Sequence, residues 1–171
     1  GSNLAGIVFT CSGVGGNGTI TNNTIITGNS TTLGGHIGIR MVNNCQDTVI
    51  DANNITIDAT GSNRGVQLTG PTLLRINVTG NRIKITSTIA TGGANNGIRL
   101  DSTSSSNLVA NNIITMTAGQ DNNYGIYLFS SASGNVVSGN AVNTSGTSSN
   151  HGIVLQSSAN NNIVANNTVR T

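Results

Sequence analysis

A two-part phrase recurs six times along the chain, and it restricts the fold to a stack of like units. The first part is glycine, aliphatic, variable, large apolar. It occurs as Gly6-Ile7-Val8-Phe9, Gly38-Ile39-Arg40-Met41, Gly65-Val66-Gln67-Leu68, Gly97-Ile98-Arg99-Leu100, Gly125-Ile126-Tyr127-Leu128 and Gly152-Ile153-Val154-Leu155. Successive glycines lie 27 to 32 residues apart. About ten residues after each first part comes the second: aliphatic, two small or polar residues, Asn, any residue, aliphatic. Its copies are Ile20…Asn23…Ile25, Ile50…Asn53…Ile55, Val78…Asn81…Ile83, Val109…Asn112…Ile114, Val137…Asn140…Val142 and Val164…Asn167…Val169.

Fixed-period self-similarity marks a repeat architecture, in which one unit cannot bury its apolar row alone and neighbours bury it by stacking. Apolar and polar residues alternate within both parts, which is the period of a strand with one buried face. The alternation runs on through Ile55 with Ile57, Ile83 with Ile85 and Ile114 with Met116. Each unit therefore reads as two or three short strands joined by polar turns, with no stretch long enough for a helix. In-register pairing with the copy one coil away, about 4.8 Å along the axis, predicts two interior columns. One is Ile7, Ile39, Val66, Ile98, Ile126 and Ile153; the other is Phe9, Met41, Leu68, Leu100, Leu128 and Leu155. The recurrent Asn23, Asn53, Asn81, Asn112, Asn140 and Asn167 fall between inward aliphatics at a bend. Stacked amides both donate and accept, so they predict a structural ladder that satisfies groups burial would leave unpaired. Asn also tolerates the left-handed backbone of such a bend. Asn107, Asn135 and Asn162 predict a second ladder, and Asn63, Asn95, Asn123 and Asn150 a third.

Composition agrees with one all-β domain. Only 7% of residues are charged and the formal net charge is +2, while 35% are hydrophobic, so the low-hydropathy, high-charge signature of disorder is absent. Glu is absent and Ala, Lys and Leu do not dominate, which argues against helix bundles and coiled coils. No apolar run approaches the roughly 20 residues of a membrane-spanning helix. The seven basic residues are scattered rather than clustered against phosphates, so nucleic acid is not an expected partner. Gly1-Ser2 reads as the scar of a cleaved tag, and residues 3–171 as a single domain belonging to a longer protein. Cys11 and Cys45 lack metal-finger spacing. They fit two semi-buried thiols in turns, or a single bridge between neighbouring turns that would imply an oxidising compartment.

The coil length, the Gly-Ile-x-Leu phrase and the x-Val-x-x-Asn-x-Ile phrase resemble the right-handed parallel β-helix repeats of the pectin-lyase-like superfamily. Pectate lyases, polygalacturonases, alginate epimerases, phage tailspikes and bacterial surface proteins share that repeat. The resemblance runs from Leu4 to Thr171 and implies a right-handed parallel β-helix of about six coils; it fixes the scaffold and leaves function to be argued from sites.

Function on such a scaffold belongs to outward positions and turns. The turns Thr27 to Ile37 and Ser87 to Asn96 are the long ones and are expected to wall a groove. One outward column runs Val8, Arg40, Gln67, Arg99, Tyr127, Val154; the next runs Thr10, Val42, Thr69, Asp101, Phe129, Gln156. Tyr124 precedes Gly125, and His151 holds the equivalent place one coil on. Aromatic faces beside Arg and Asp suit a sugar ring with its hydroxyls or a uronate carboxylate. Arg40, Arg99, Asp101, Tyr124, Tyr127, Phe129 and His151 are thus the candidate carbohydrate-binding residues.

Catalytic residues, a metal site and a cofactor are not expected. Glycoside hydrolysis in most families needs two carboxylates about 5–10 Å apart. The five available are Asp47, Asp51, Asp58, Asp101 and Asp121, of which only Asp47 and Asp51 are close in sequence. The superfamily's hydrolase signatures are missing, since Arg82-Ile83-Lys84 and His151-Gly152 occur in the wrong order and without the acidic elements. Calcium wants six to eight oxygens, and no acidic cluster supplies them. His36 and His151 are expected in turns at opposite ends. Ladder phrases extend to both termini, leaving open strand edges, and cover by a homotrimer or by flanking domains is expected there. These points favour a non-catalytic segment of an extracellular, cell-surface or virion protein, serving as spacer and polysaccharide-binding surface. A lyase, hydrolase or epimerase using Arg99, Asp101 and Tyr127 is the alternative.

Overall fold

In a computed structural model of the chain, residues 4–28, 35–87, 94–118 and 122–171 are described, without the side chains of 12–14, 87 and 118. Asp121 and most of the two long turns expected to wall a groove lie outside them. The described residues form three parallel sheets and no helix. The first sheet contains β1 (Leu4–Gly16), β4 (His36–Cys45), β7 (Arg64–Thr69), β10 (Asn95–Leu100), β13 (Asn123–Phe129) and β16 (His151–Gln156), adjacent in that order. The second contains β2 (Thr19–Thr21), β5 (Val49–Asp51), β8 (Asn77–Thr79), β11 (Leu108–Ala110), β14 (Val136–Ser138) and β17 (Ile163–Ala165). The third contains β3 (Thr24–Gly28), β6 (Asn54–Asp58), β9 (Arg82–Ser87), β12 (Ile113–Ala118), β15 (Ala141–Ser145) and β18 (Thr168–Arg170). Each strand therefore pairs with its copy one repeat away, never with its neighbour in sequence. The molecule is a parallel β-solenoid of about five turns, since six strands per sheet are separated by five steps. That is slightly fewer than the six coils that six repeats predict.

Register follows the repeat. Ile7 faces Ile39, Ile39 faces Val66, Val66 faces Ile98, and the column continues through Ile126 to Ile153. The companion column from Phe9 to Leu155 aligns equally. With Ile50, Val78 and Val109 of the second sheet and Ile55, Ile83 and Ile114 of the third, the middle members of these columns form one buried core, against which Ile7, Phe9 and Ile153 pack partly buried; Leu155, expected inside, is exposed on the last rung, where no further rung covers it among the described residues. The glycine of the first part has a steric cause. A Cβ built on Gly97 would lie 2.5 Å from the Gly125 carbonyl oxygen and 2.5 Å from Ile114 Cγ2, so strand and core leave no room for one.

All three amide ladders form. In the longest, the side chain of each Asn between the two end members accepts from the repeat before it and donates to the repeat after it. Asn53 N and Nδ2 donate to Asn81 Oδ1 at 3.0 and 2.9 Å, and Asn81 N and Nδ2 donate to Asn112 Oδ1 at 3.0 and 3.0 Å. The series continues to Asn140 and Asn167. Asn107, Asn135 and Asn162 repeat the pattern, and Asn95, Asn123 and Asn150 are linked through Nδ2. One detail departs from expectation: the left-handed residue is the one before each ladder Asn. Asn22, Ala52, Gly80, Asn111, Gly139 and Asn166 have φ of 57°, 53°, 61°, 56°, 66° and 55°. That single residue turns the chain from the second sheet into the third. It carries the next backbone N–H out of the strand pairing, and the amide of the following rung takes it up.

The cysteines also depart from the favoured expectation. Cys11 and Cys45 are buried and bonded, with Cα atoms 5.3 Å apart. Cys11 pairs in register with Asn43, but an irregularity then brings Gly16 opposite Cys45, and this shift sets the two thiols side by side.

Candidate functional site

Outward side chains of the first sheet gather on successive rungs. The column Val8, Arg40, Gln67, Arg99, Tyr127, Val154 is in register throughout. A second column, made of the residues just before the repeat glycines, runs Ile37, Arg64, Asn96, Tyr124, His151. Here lie three of the four aromatic residues in the chain. Tyr127 is flanked by Tyr124 and Phe129, with ring centroids 4.9 and 5.4 Å away, and Tyr124 stacks on His151 at 5.5 Å. Offset and tilted contacts of this kind add to the apolar area they bury.

Arg99 joins the aromatics to the charged part. Its guanidinium carbon sits 5.2 Å from the Tyr127 centroid and 5.3 Å from that of Phe129, within cation–π range. Arg99 Nε donates to Asp101 Oδ1 at 2.6 Å, while Gln67 Nε2 donates to Asp101 Oδ2 at 2.9 Å. Both carboxylate oxygens of Asp101 are therefore engaged, and its side chain is only 10% exposed. Tyr127 donates through its hydroxyl to Gln156 Oε1 at 2.8 Å. Burial pushes the Tyr127 hydroxyl above the ordinary tyrosine range, and the nearby Arg99 charge only partly opposes this.

Six of the seven expected residues are brought together, while Arg40 lies two rungs from Arg99; most are less exposed than an outward position suggests. Tyr127 and Asp101 are buried, Arg40, Arg99, Tyr124 and Phe129 half-buried, and His151 exposed. On adjacent rungs large side chains cover one another, so the outer face behaves as a second, polar layer. Sequence reasoning missed Arg64 and Asn96, which occupy the same place before the glycine as Tyr124 and His151. Arg64 is held below the ordinary arginine range, chiefly by burial and then by the charge of Arg99, with Asp101 opposing and Arg40 adding.

The remaining acids are dispersed. Asp47 is gripped by Arg75 through two contacts of 2.6 and 2.8 Å on the exposed surface, and Asp51 accepts from Thr79 Oγ1 at 2.6 Å. The two do not form a free carboxylate pair. Asp58 is exposed at the end of β6. Neither histidine is in a turn: His36 opens β4 and is buried, and His151 opens β16 and is exposed. Among the described residues, no three His, Cys, Asp or Glu side chains gather as a metal site would require.

Stacked parallel sheets with internal amide ladders define the class, a parallel β-solenoid repeat protein. Comparison of the chain with protein-family models, curated proteins and solved structures gives no match.

Proposed function

We propose that this chain is a non-catalytic segment of an extracellular, cell-surface or virion protein of the pectin-lyase-like superfamily. The solenoid acts as a spacer, and the outer face of its first sheet binds polysaccharide. The observation that carries this reading is the continuous run of Arg99, Phe129, Tyr127, Tyr124 and His151 across three rungs. Flat apolar rings next to a charged, hydrogen-bonding pair match the two faces of a sugar. The buried disulfide fits an oxidising compartment. Asp101, with both oxygens engaged, is poorly placed to exchange a proton with a substrate.

The test is a binding screen of neutral and acidic polysaccharides by affinity electrophoresis, with product analysis on the same mixtures. Retardation without turnover, weakened in Tyr124→Ala, is expected. Product formation that disappears in Asp101→Ala would instead establish the enzyme.

A further inference from the structure

The chain contains two Asn-Gly bonds, Asn17-Gly18 and Asn96-Gly97, and the fold treats them oppositely. An asparagine before glycine is open to attack on its own side chain by the next backbone nitrogen, because glycine has no Cβ to hinder the approach and gives the backbone its widest freedom. How firmly the surrounding structure holds the pair decides whether that attack takes place.

Asn96 is held. It lies within β10, between β7 and β13, and is completely buried. Its backbone N–H donates to the Asn63 carbonyl at 2.8 Å and its Nδ2 to the Ala94 carbonyl at 3.0 Å. This pair meets the required geometry only after the strand opens.

Asn17 is not held. It is exposed, in the two-residue link between β1 and β2. Among the described residues, neither its side chain nor the Gly18 N–H makes a hydrogen bond. The carbonyls on either side are anchored, Gly16 accepting from Gln46 N and Gly18 from Val49 N, both at 2.9 Å. A Cβ built on Gly18 would run into the Phe9 ring, so packing demands glycine at the very position that makes the preceding asparagine labile.

We infer that Asn17-Gly18 is a deamidation site built into the first rung, with solvent water as the co-reactant. The Gly18 nitrogen gives its proton to solvent base and bonds to Asn17 Cγ; the Cγ–Nδ2 bond breaks and ammonia leaves. Water then opens the cyclic imide at either carbonyl. Opening at Cγ leaves an ordinary aspartate. Opening at the former backbone carbonyl leaves isoaspartate, with the main chain rerouted through Cβ and Cγ. Either product lowers the formal net charge by one unit from its present +2. Isoaspartate also lengthens the main chain between the Gly16 and Gly18 carbonyls, which tie this link to the second rung, so the Val49 hydrogen bond loosens. The inference is independent of polysaccharide binding.

Peptide mapping by mass spectrometry tests it on the folded chain, disulfide intact, during incubation at neutral and mildly alkaline pH. Conversion is expected at Asn17, faster at the higher pH because the Gly18 nitrogen must lose its proton. Asn96 reacts only from locally opened states, which are rare for a core strand, so it should lag Asn17 by at least about a hundredfold. In urea both bonds are free and the two rates should converge. An Asn17 that survives in the folded chain yet reacts in urea overturns the inference, as do equal folded-state rates at the two bonds. Asn17→Gln lengthens the side chain and disfavours ring closure, so it should remove the new acidic species from isoelectric focusing; persistence of that species overturns the assignment to this bond. Hydrogen exchange on the converted chain should quicken at the Val49 amide, and unchanged exchange there overturns the loosened link.

Discussion

Replacing Asn81 by alanine removes the middle of the longest amide ladder, and the cost can be worked out bond by bond. Asn81 is 1% exposed. Its Oδ1 is the acceptor for the backbone N–H of Asn53 at 3.0 Å, and that buried group is left stranded, at about 1–3 kcal/mol. Its Nδ2 serves the Ile50 and Thr79 carbonyls and Asn112 Oδ1 at 2.9, 2.9 and 3.0 Å, and two protons can be lost there at about 1 kcal/mol each. The expected loss is about 3–5 kcal/mol, which for a chain of this size lowers the melting midpoint by on the order of 10 °C. Asn23 begins the same ladder, is half-buried and accepts from no described donor, so Asn23→Ala should cost about 1 kcal/mol. Urea unfolding followed by circular dichroism, with the disulfide intact, measures both. Asn81→Asp adds a sign test. It keeps an oxygen for Asn53 but turns acceptor against acceptor, so it should be at least as damaging as alanine at neutral pH and recover as acid protonates the carboxyl. Equal losses for Asn81→Ala and Asn23→Ala would refute the reasoning, because they would show the interior amides to be surface decoration.

Further expectations concern packing, the disulfide and alkaline pH. Gly97→Ala should cost about 1–3 kcal/mol through overpacking against the Gly125 carbonyl and Ile114, read as a lower urea midpoint with an unchanged slope. Reducing the bridge between Cys11 and Cys45, 34 residues apart, should destabilise the chain by about 4 kcal/mol on the chain-entropy argument; an unchanged midpoint in reductant would contradict it. Burial raises the Tyr127 hydroxyl above its ordinary value of about 10. The folded state therefore holds that proton longer than the unfolded state, so its contribution is complete below about pH 10 and is lost as pH rises further. Ultraviolet titration should show one late-ionising tyrosine that is missing in Tyr127→Phe.

The solenoid was legible because its two phrases keep their internal spacing while the turns vary. Aligning the glycines placed Ile98 above Val66 and Asn112 above Asn81 with no further information. Three things were not legible, each for a physical reason. Alternation tells which side of a strand a residue faces but not what neighbouring rungs put over it, so Tyr127 and Asp101 read as exposed although they are buried. The disulfide depends on a register shift within β1, which a periodic pattern cannot contain. Arg64 and Asn96 stand just before the repeat glycine, a position that draws attention in sequence only where it holds an aromatic ring or a histidine, as at Tyr124 and His151. Following that column down from Tyr124 would have found them.

Distances between spin labels along one outer column test the in-register stack most directly. Ile26, Thr56, Lys84, Thr115, Asn143 and Arg170 are successive partners on the third sheet. The native cysteines are bonded to each other, so only introduced cysteines take the label. Pairing a label at Ile26 with one at Thr115, Asn143 or Arg170 spans three, four or five rungs, for backbone separations of about 14, 19 and 24 Å. Double electron–electron resonance should return three distances that climb by one strand spacing per repeat. Distances that fail to climb with repeat number would mean that these segments do not lie one above another, which would contradict the in-register stack.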